Sequence, residues 1–235
     1  MKKQQRHALQ ITIQKQVSLQ YLVYLPKGYH HSKQKCPFVL FLHGRGERGA
    51  NLELVTHHGI PKLIEEGADF PFILVSPQCS ENRFWAYEVD TLYALIEQII
   101  GEYRVDTSRI YLTGLSMGGF GTWHLAAAYP RLFAAIIPIC GGTLPYSDFP
   151  ERIKILKDVP VWVFHGAQDN IVPVHMSQEL VDVLRDHNGS VRFTIYPDAG
   201  HDSWTQTYKN PELYNWLLQQ KNERFNMADT LSQEP

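Results

Sequence analysis

The sequence contains little cysteine and no paired cysteine motif. Only three of its 235 residues are cysteine, namely Cys36, Cys79 and Cys140, and none of them forms a C-x-x-C spacing with another. An odd number without that spacing gives no support to a disulfide framework or to a thiolate metal site. A chain of this length buries roughly 70–75% of its unfolded surface, so it needs neither device to hold a core.

An excess of charge and a long apolar run are also missing. Lys and Arg total 22 against 24 Asp and Glu, for a net charge of −2. Without a basic stripe, nucleic acid is not an expected partner. No apolar run approaches 18 residues, so no membrane span is expected. Residues 8–14 alternate where a signal peptide needs a continuous apolar stretch, which predicts a cytoplasmic protein.

Short apolar runs bounded by turn residues recur along the chain. Runs of this kind are typical of strands buried on both faces, as in a parallel sheet. They predict strands at residues 37–42, 72–75, 110–113, 133–139, 161–164 and 191–196. Residues 9–15 and 17–25 have a period of two instead, which predicts an antiparallel pair at the N-terminal side.

Helical patterns fill the gaps between these strands. They predict helices at residues 89–100, 116–129, 151–157 and 174–187, and one that begins after Asn210. Strand–helix alternation predicts an α/β fold, a mostly parallel sheet with helices on both faces. We expect a single domain over residues 1–235, with a frayed polar tail at 222–235. Residues 143–160 leave no space for a large lid.

A candidate nucleophile stands between a predicted strand and a predicted helix. Residues 114–118 read Gly-Leu-Ser-Met-Gly and fit G-x-S-x-G, with Ser116 at the centre. At a strand-to-helix turn, this motif holds a strained serine exposed at the helix N-terminus. The alternative interpretation is a glycine-rich turn or a phosphate-binding loop.

A serine hydroxyl needs a base to take its proton. His201 follows the last predicted strand and therefore lies at the same carboxyl edge of the sheet as Ser116, where ligands of open α/β sheets bind. His43 and His165 stand in His-Gly pairs at strand ends, and we interpret them as structural or site-lining. The pairs at 30–31 and 57–58 have no third ligand pattern, so we expect solvated histidines and no metal or other cofactor.

The acid that orients the histidine is expected between these two residues in sequence. Asp169 follows the strand at 161–164 and so lies at the same edge, whereas Asp198 and Asp202 are rivals because they are close to His201 in sequence. The order Ser116, Asp169, His201 differs from the orders of two other common serine-hydrolase arrangements and selects the α/β-hydrolase plan.

An oxyanion hole requires two backbone N–H donors. The residue after the nucleophile, Met117, is expected to supply one, and Arg45 in the glycine-rich loop after the first parallel strand is expected to supply the other. The alternative for that loop is a flexible, solvated segment. Trp85 and Trp204 lie in loops at the same edge, where they line the substrate pocket or serve as packing anchors.

The chain resembles compact bacterial serine carboxylesterases of the α/β-hydrolase fold, in particular the phospholipase/carboxylesterase and dienelactone-hydrolase-like group of predicted peptidases. The resemblance covers about residues 17 to 220. It is carried in order by residues 42–49, 76–79, 112–119, 165–169 and 200–204. It implies that Ser116, Asp169 and His201 form a catalytic triad, with Arg45 and Met117 as backbone donors. Dienelactone hydrolases proper use cysteine as nucleophile, so serine at this position argues against dienelactone as substrate.

These motifs predict a serine esterase that cleaves small soluble carboxylic esters through an acyl-enzyme, with a small-molecule ester as its partner. An open site favours short-acyl or carbohydrate-linked esters. The alternatives are a serine peptidase of the prolyl-oligopeptidase-like kind and a non-catalytic binding protein on a hydrolase scaffold. The sequence carries no signal for the oligomeric state.

Overall fold

A mixed sheet is the centre of the computed structural model, which describes residues 6–11, 16–144 and 149–223. The described strands follow the order β1-β3-β2-β4-β5-β6-β7 across the sheet. β1 is antiparallel to β3, and every other neighbouring pair is parallel. The strands are β1 (Gln20–Tyr24), β2 (Cys36–Leu42), β3 (Ile73–Gln78), β4 (Val105–Leu115), β5 (Ala135–Ile139), β6 (Val161–Gly166) and β7 (Val191–Tyr196).

The expected antiparallel strand at the N-terminal side is confirmed, but its partner differs from the predicted one. β1 pairs with β3, with Gln20 opposite Gln78 and Tyr24 opposite Leu74. Residues 6–11 belong to no strand, and residues 12–15 lie outside the described residues. The expected antiparallel pair is thus formed by β1 and β3, and the described residues 9–11 take no part in it. The period of two marks a strand with one solvated face, but it does not choose the neighbour.

Helices cover both faces of the sheet, as the alternating pattern predicted. Buried residues of α2, α3 and α5 pack in one cluster, and those of α1, α6 and α7 pack in a second cluster on the other face. The helices are α1 (Gly59–Glu65), α2 (Val89–Glu102), α3 (Met117–Ala128), α4 (Phe149–Arg152), α5 (His175–Asp186), α6 (Trp204–Lys209) and α7 (Pro211–Gln219).

Strand β2 shows how the sequence serves both layers. Phe38, Leu40 and Leu42 belong to the first cluster, while Val39 and Phe41 belong to the second. Successive side chains of a strand point to opposite faces, so a continuous apolar run supplies two cores at once.

The start of α7 follows its sequence signal. The Asn210 side chain accepts a hydrogen bond of 3.0 Å from the Glu212 N–H, and Pro211 takes the first helical position, where no N–H is needed. The predicted tail at 222–235 falls almost wholly outside the described residues, which end at Glu223.

The strand order reverses at β2, and this reversal positions the functional site. The chain runs from β2 to β3 on one side and then returns to β4 on the other side. The loops that follow β2 and β4 therefore leave the sheet next to each other, at its carboxyl edge. A crevice at such a switch point is where ligands bind in open α/β sheets. No helix among the described residues is long and apolar enough to span a membrane.

Candidate active site

Ser116 occupies a strained turn between β4 and α3. Its φ of 52° and ψ of −117° lie where side chains are rarely found. The Ser116 N–H donates to the Ile139 carbonyl at 3.0 Å, which ties the turn to the end of β5. Local strain of this kind persists only where surrounding contacts fix it, and it is typical of functional sites.

Backbone packing explains the glycines on both sides of this serine. A Cβ at Gly118 would collide with the Leu42 carbonyl oxygen of β2, and one at Gly119 would lie 2.5 Å from the Ile139 carbonyl oxygen of β5. The first turn of α3 therefore lies directly against two strands. Side chains at these positions would push the helix, and the serine with it, away from the sheet.

Three of the predicted site residues form a hydrogen-bonded chain. Ser116 Oγ lies 2.9 Å from His201 Nε2, and His201 Nδ1 lies 2.7 Å from Asp169 Oδ2. The serine and the imidazole are half-buried, whereas the Asp169 side chain is fully buried. The loops after β4, β6 and β7 thus bring together residues that are far apart in sequence.

The carboxylate of Asp169 is held from both ends. Its Oδ1 accepts hydrogen bonds from the N–H groups of Ile171 and Val172, each at 2.9 Å, while Oδ2 faces His201. Burial acts to raise the pKa of this carboxyl, but the hydrogen bonds from His201, Val172 and Ile171 outweigh burial and keep the pKa below its ordinary value. The group is therefore an anion at neutral pH.

The rival acids are placed differently. Asp198 is exposed after the end of β7. The Asp202 carboxylate accepts hydrogen bonds from the N–H and hydroxyl of Thr205, at 3.0 and 2.9 Å, and so supports the start of α6. The His201 Nδ1 hydrogen bond goes to Asp169.

The glycine-rich loop after β2 lies against the nucleophile. A Cβ at Gly44 would be 3.8 Å from the Ser116 Cβ and 2.9 Å from a methyl group of Leu115. Arg45 follows Gly44 and begins a short 3-10 turn, Arg45–Glu47, with its side chain exposed. Met117 begins α3, so its N–H has no partner within the helix. Both backbone donors predicted from sequence therefore belong to segments that border Ser116.

His43 supports this loop and stays neutral. Its Nδ1–H donates to the Gly44 carbonyl at 2.6 Å, and its Nε2 accepts from the Cys79 N–H at 2.9 Å. Burial lowers the pKa of His43 to about 4. These contacts agree with the structural interpretation of this residue.

The two tryptophans predicted at the edge of the sheet have different surroundings. Trp85 is fully buried, and its indole N–H donates to the His43 carbonyl at 3.1 Å, so it is a packing anchor beneath the loop rather than a wall of an open pocket. Trp204 is half-buried at the start of α6, and its ring meets the rings of His201 and His58 edge-on, at centroid distances of 5.3 and 5.6 Å. Trp204 therefore borders the candidate site directly.

Sequence reasoning missed Cys140, which lies beneath the candidate site. One potential metal-ligand atom of each of Cys140, Asp169 and His201 lies within 4.8 Å of the other two. Among the described residues, these three side chains form the group that could hold a metal ion. Burial raises the pKa of the Cys140 thiol to about 12, so it is protonated. A metal here would have to displace that proton and the proton shared by His201 and Asp169. The position of Cys140, directly after β5 at the carboxyl edge, was the available sequence signal.

The mostly parallel sheet covered by helices, with Ser116 on a strained turn between β4 and α3, is an α/β-hydrolase fold. The chain belongs to the phospholipase/carboxylesterase family, whose model matches residues 70–211. A thermostable esterase of solved structure is 35% identical with a TM-score of 0.75, over 87% of this chain and 60% of that one.

Two curated relatives are larger proteins. A bifunctional acetylxylan esterase/xylanase of Neocallimastix patriciarum is 26% identical over 77% of this chain and 26% of its own length. The acylamino-acid-releasing enzyme of Mus musculus is 25% identical over 77% of this chain and 28% of its own length. The chain thus spans about a quarter of these curated relatives.

Proposed function

We propose that the protein is a serine esterase that cleaves small carboxylic esters through an acyl-enzyme. The hydrogen-bonded chain from Ser116 through His201 to the buried anion of Asp169 carries this proposal. Such a chain supplies what a weak hydroxyl nucleophile lacks: a base within reach and an acid that orients the base.

In the proposed reaction, Ser116 Oγ attacks the ester carbonyl while His201 Nε2 takes the hydroxyl proton. The imidazolium then gives that proton to the leaving alcohol, and the acyl group stays on Ser116. Water enters, His201 removes its proton, and the acid product leaves with Ser116 restored. Asp169 holds the imidazole with Nε2 toward the serine and compensates its positive charge.

We further propose that the N–H groups of Arg45 and Met117 stabilise the negative charge on the carbonyl oxygen. Each such donor in a site shielded from water contributes about 3 kcal/mol in the transition state. The close approach of Gly44 to Ser116 supports this role, because the Arg45 N–H belongs to the residue that directly follows Gly44.

Short-acyl esters, including acetyl groups on carbohydrates, are the proposed substrates. Two observations favour them: the segment at 143–160 is short, and a relative is named for its acetylxylan esterase activity. We propose a cytoplasmic location and no nucleic-acid or membrane partner, from the charge balance and the apolar pattern of the sequence.

A panel of substrates tests this proposal. It consists of p-nitrophenyl esters of rising acyl length, acetylated xylo-oligosaccharides, a feruloyl ester and an N-acetyl amino-acid anilide. We expect the highest kcat/KM on acetyl esters and loss of all turnover in Ser116→Ala. A fluorophosphonate probe is expected to label wild type on Ser116 alone. Labelling of another serine would contradict the assignment.

A peptidase is the second candidate, because the similarity extends to an acylamino-acid-releasing enzyme. Preferential cleavage of the N-acetyl anilide would support it over the esterase. Absence of turnover and of probe labelling across the panel would favour a binding protein on a hydrolase scaffold.

A further inference from the structure

His165 is a buried histidine that contacts Asp169 of the candidate site from within the protein interior. Its ring is fully buried at the end of β6, so it cannot touch a substrate. Its Nε2 lies 3.2 Å from Asp169 Oδ2, the same oxygen that faces His201. The same nitrogen lies 2.7 Å from the Val172 carbonyl oxygen. Asp169 Oδ2 therefore stands between two imidazoles.

The proton positions in this cluster follow from its acceptors. The Val172 carbonyl and the ionised Asp169 can only accept, so His165 Nε2 must carry a proton and donate it. Burial lowers the pKa of His165, which leaves the ring neutral and makes Nδ1 an acceptor. The single Ser177 hydroxyl proton then faces two acceptors, His165 Nδ1 at 2.8 Å and the Gly141 carbonyl at 2.9 Å.

We propose that His165 is a positioning residue for the esterase reaction: its Nε2–H holds Asp169 Oδ2 toward His201 and takes up part of the carboxylate's charge. This inference rests on the proposed function. With a second donor on Oδ2, the carboxylate stabilises protonated His201 less strongly. His201 then releases its proton to the leaving alcohol more readily.

The groups around the two imidazoles come from several elements. Asp169 and His201 face each other across the loops after β6 and β7, and the Cys140 thiol lies beside both at the end of β5. The thiol has a pKa of about 12, so it stays neutral in the range of the experiment. Asp202 acts on that thiol from the exposed loop before α6.

The experiment compares His165→Leu, which removes both ring nitrogens, with His165→Gln, which keeps an N–H donor. Hydrolysis of p-nitrophenyl acetate is followed from pH 5 to 9, at equal folded fraction. We expect His165→Leu to lower kcat about 30-fold with KM nearly unchanged. A loss of this size is typical when a hydrogen bond that orients a metal-binding side chain is removed, and we expect the same for a bond that orients Asp169. The acid limb of its kcat/KM profile moves to higher pH by about half a unit. His165→Gln restores most of the rate and the position of the limb.

Two further variants isolate the mechanism. If His165 acts through the carboxylate, His165→Leu adds less than about threefold to the loss in an Asp169→Asn background, because coupled residues are not additive. The control is His124→Leu, a half-buried histidine stacked on Phe149 with ring centroids 3.8 Å apart, which is expected to leave the acid limb in place.

An unmoved acid limb in folded His165→Leu would overturn the inference, as would an equal loss in the Asp169→Asn background. If His165→Leu does not fold, Ser177→Ala replaces it, with a smaller loss of about threefold and a shift of the limb in the same direction; an unmoved limb there overturns the inference as well. Turnover that survives Ser116→Ala would instead refute the proposed function, so the two failures are distinguishable.

Discussion

Two carboxylate–imidazole pairs each contact the Trp204 ring through their imidazole, and they are built differently. In the first, His201 Nδ1 lies 2.7 Å from Asp169, whose oxygens receive further donors from Ile171, Val172 and His165. In the second, His58 Nε2 lies 3.8 Å from Glu47 Oε1, beyond hydrogen-bonding distance.

The surroundings of the second pair are also less complete. The Glu47 side chain is only 9% exposed, yet its Oε2 has no hydrogen-bond partner, and the His58 side chain is 40% exposed. A buried acid beside a histidine is therefore not enough to make a hydrogen-bonded pair. What distinguishes the first pair is that donors fix every oxygen of the acid, so the imidazole meets a carboxylate that cannot turn away.

The largest expected effect separates the two acids by activity. Asp169→Asn presents an N–H where His201 needs an acceptor, which favours the wrong tautomer and lowers kcat about 10⁴-fold. Glu47→Gln, matched in size, is expected to cost less than fivefold. Steady-state kinetics on p-nitrophenyl acetate at equal folded fraction measures both. Similar losses of kcat in the two variants would show that Asp169 and Glu47 do not differ in their importance for activity.

The second prediction concerns stability against pH near Glu47. The folded pKa of His43 is about 4, below its ordinary value of 6.5, so the unfolded state binds more protons between these values. His43 therefore contributes stability above pH 6.5 that is lost as the pH falls toward 4, about 3 kcal/mol in all.

Urea unfolding at intervals from pH 7 to pH 4 measures this loss. His43→Asn, whose amide can replace the Nδ1 donor, is expected to flatten the dependence, while the exposed His58→Gln leaves it as in wild type. Equal slopes in wild type and His43→Asn would show that other groups carry the acid sensitivity.

The third prediction compares the two acids by stability. At pH 7, Asp169→Asn is expected to lose about 2 kcal/mol, because charge-assisted hydrogen bonds to a buried group are lost. Glu47→Gln is expected to be close to neutral, since its carboxylate is buried with one oxygen unpaired.

The pH dependence provides an internal check on that difference. The lowered pKa of Asp169 means that its contribution is present above the ordinary carboxyl pKa and disappears as the pH falls through the folded value. The gap between wild type and Asp169→Asn in urea unfolding must therefore narrow in acid. A constant gap from pH 7 to pH 3 would contradict the ionised state.

The smallest expected effect concerns Trp204, whose ring contacts the imidazoles of both pairs. Trp204→Ala removes the edge contact with His201 and is expected to lower kcat about tenfold, whereas Trp204→Phe keeps an aromatic edge and loses less than threefold. The kcat and KM values of both variants check this. A change confined to KM would assign Trp204 to substrate binding rather than to support of the imidazole.

Much of the fold was predictable because its signals are local. Apolar runs indicated the strands from β2 to β7, and Asn210-Pro211 predicted the start of α7. The partner of β1 was not predictable, because register and pairing depend on which strand edge is free in the finished sheet. Its period of two was visible, but β3 lies about fifty residues further along the chain.

Some residues of the candidate site could likewise be predicted from the sequence, and others could not. Ser116, Asp169 and His201 could be proposed because each follows a strand at one edge, and edge position can be read from the sequence. The buried contacts of Cys140 and His165 could not, because they depend on which side chains turn inward behind the loops. Trp85 was open between two roles for the same reason, and only its burial distinguishes them.

The contact of α3 with carbonyl groups of β2 and β5 also bears on how the molecule loses activity. With no side chain between helix and strands, the first turn of α3 cannot loosen without separating the centre of the sheet. Local opening near Ser116 is therefore as costly as opening the whole core, and the hydrogen-bonded amides of Phe120 and Gly121 should exchange with solvent only through global unfolding. Catalytic competence on heating should then follow the melting of the entire fold, with no inactive folded species in between.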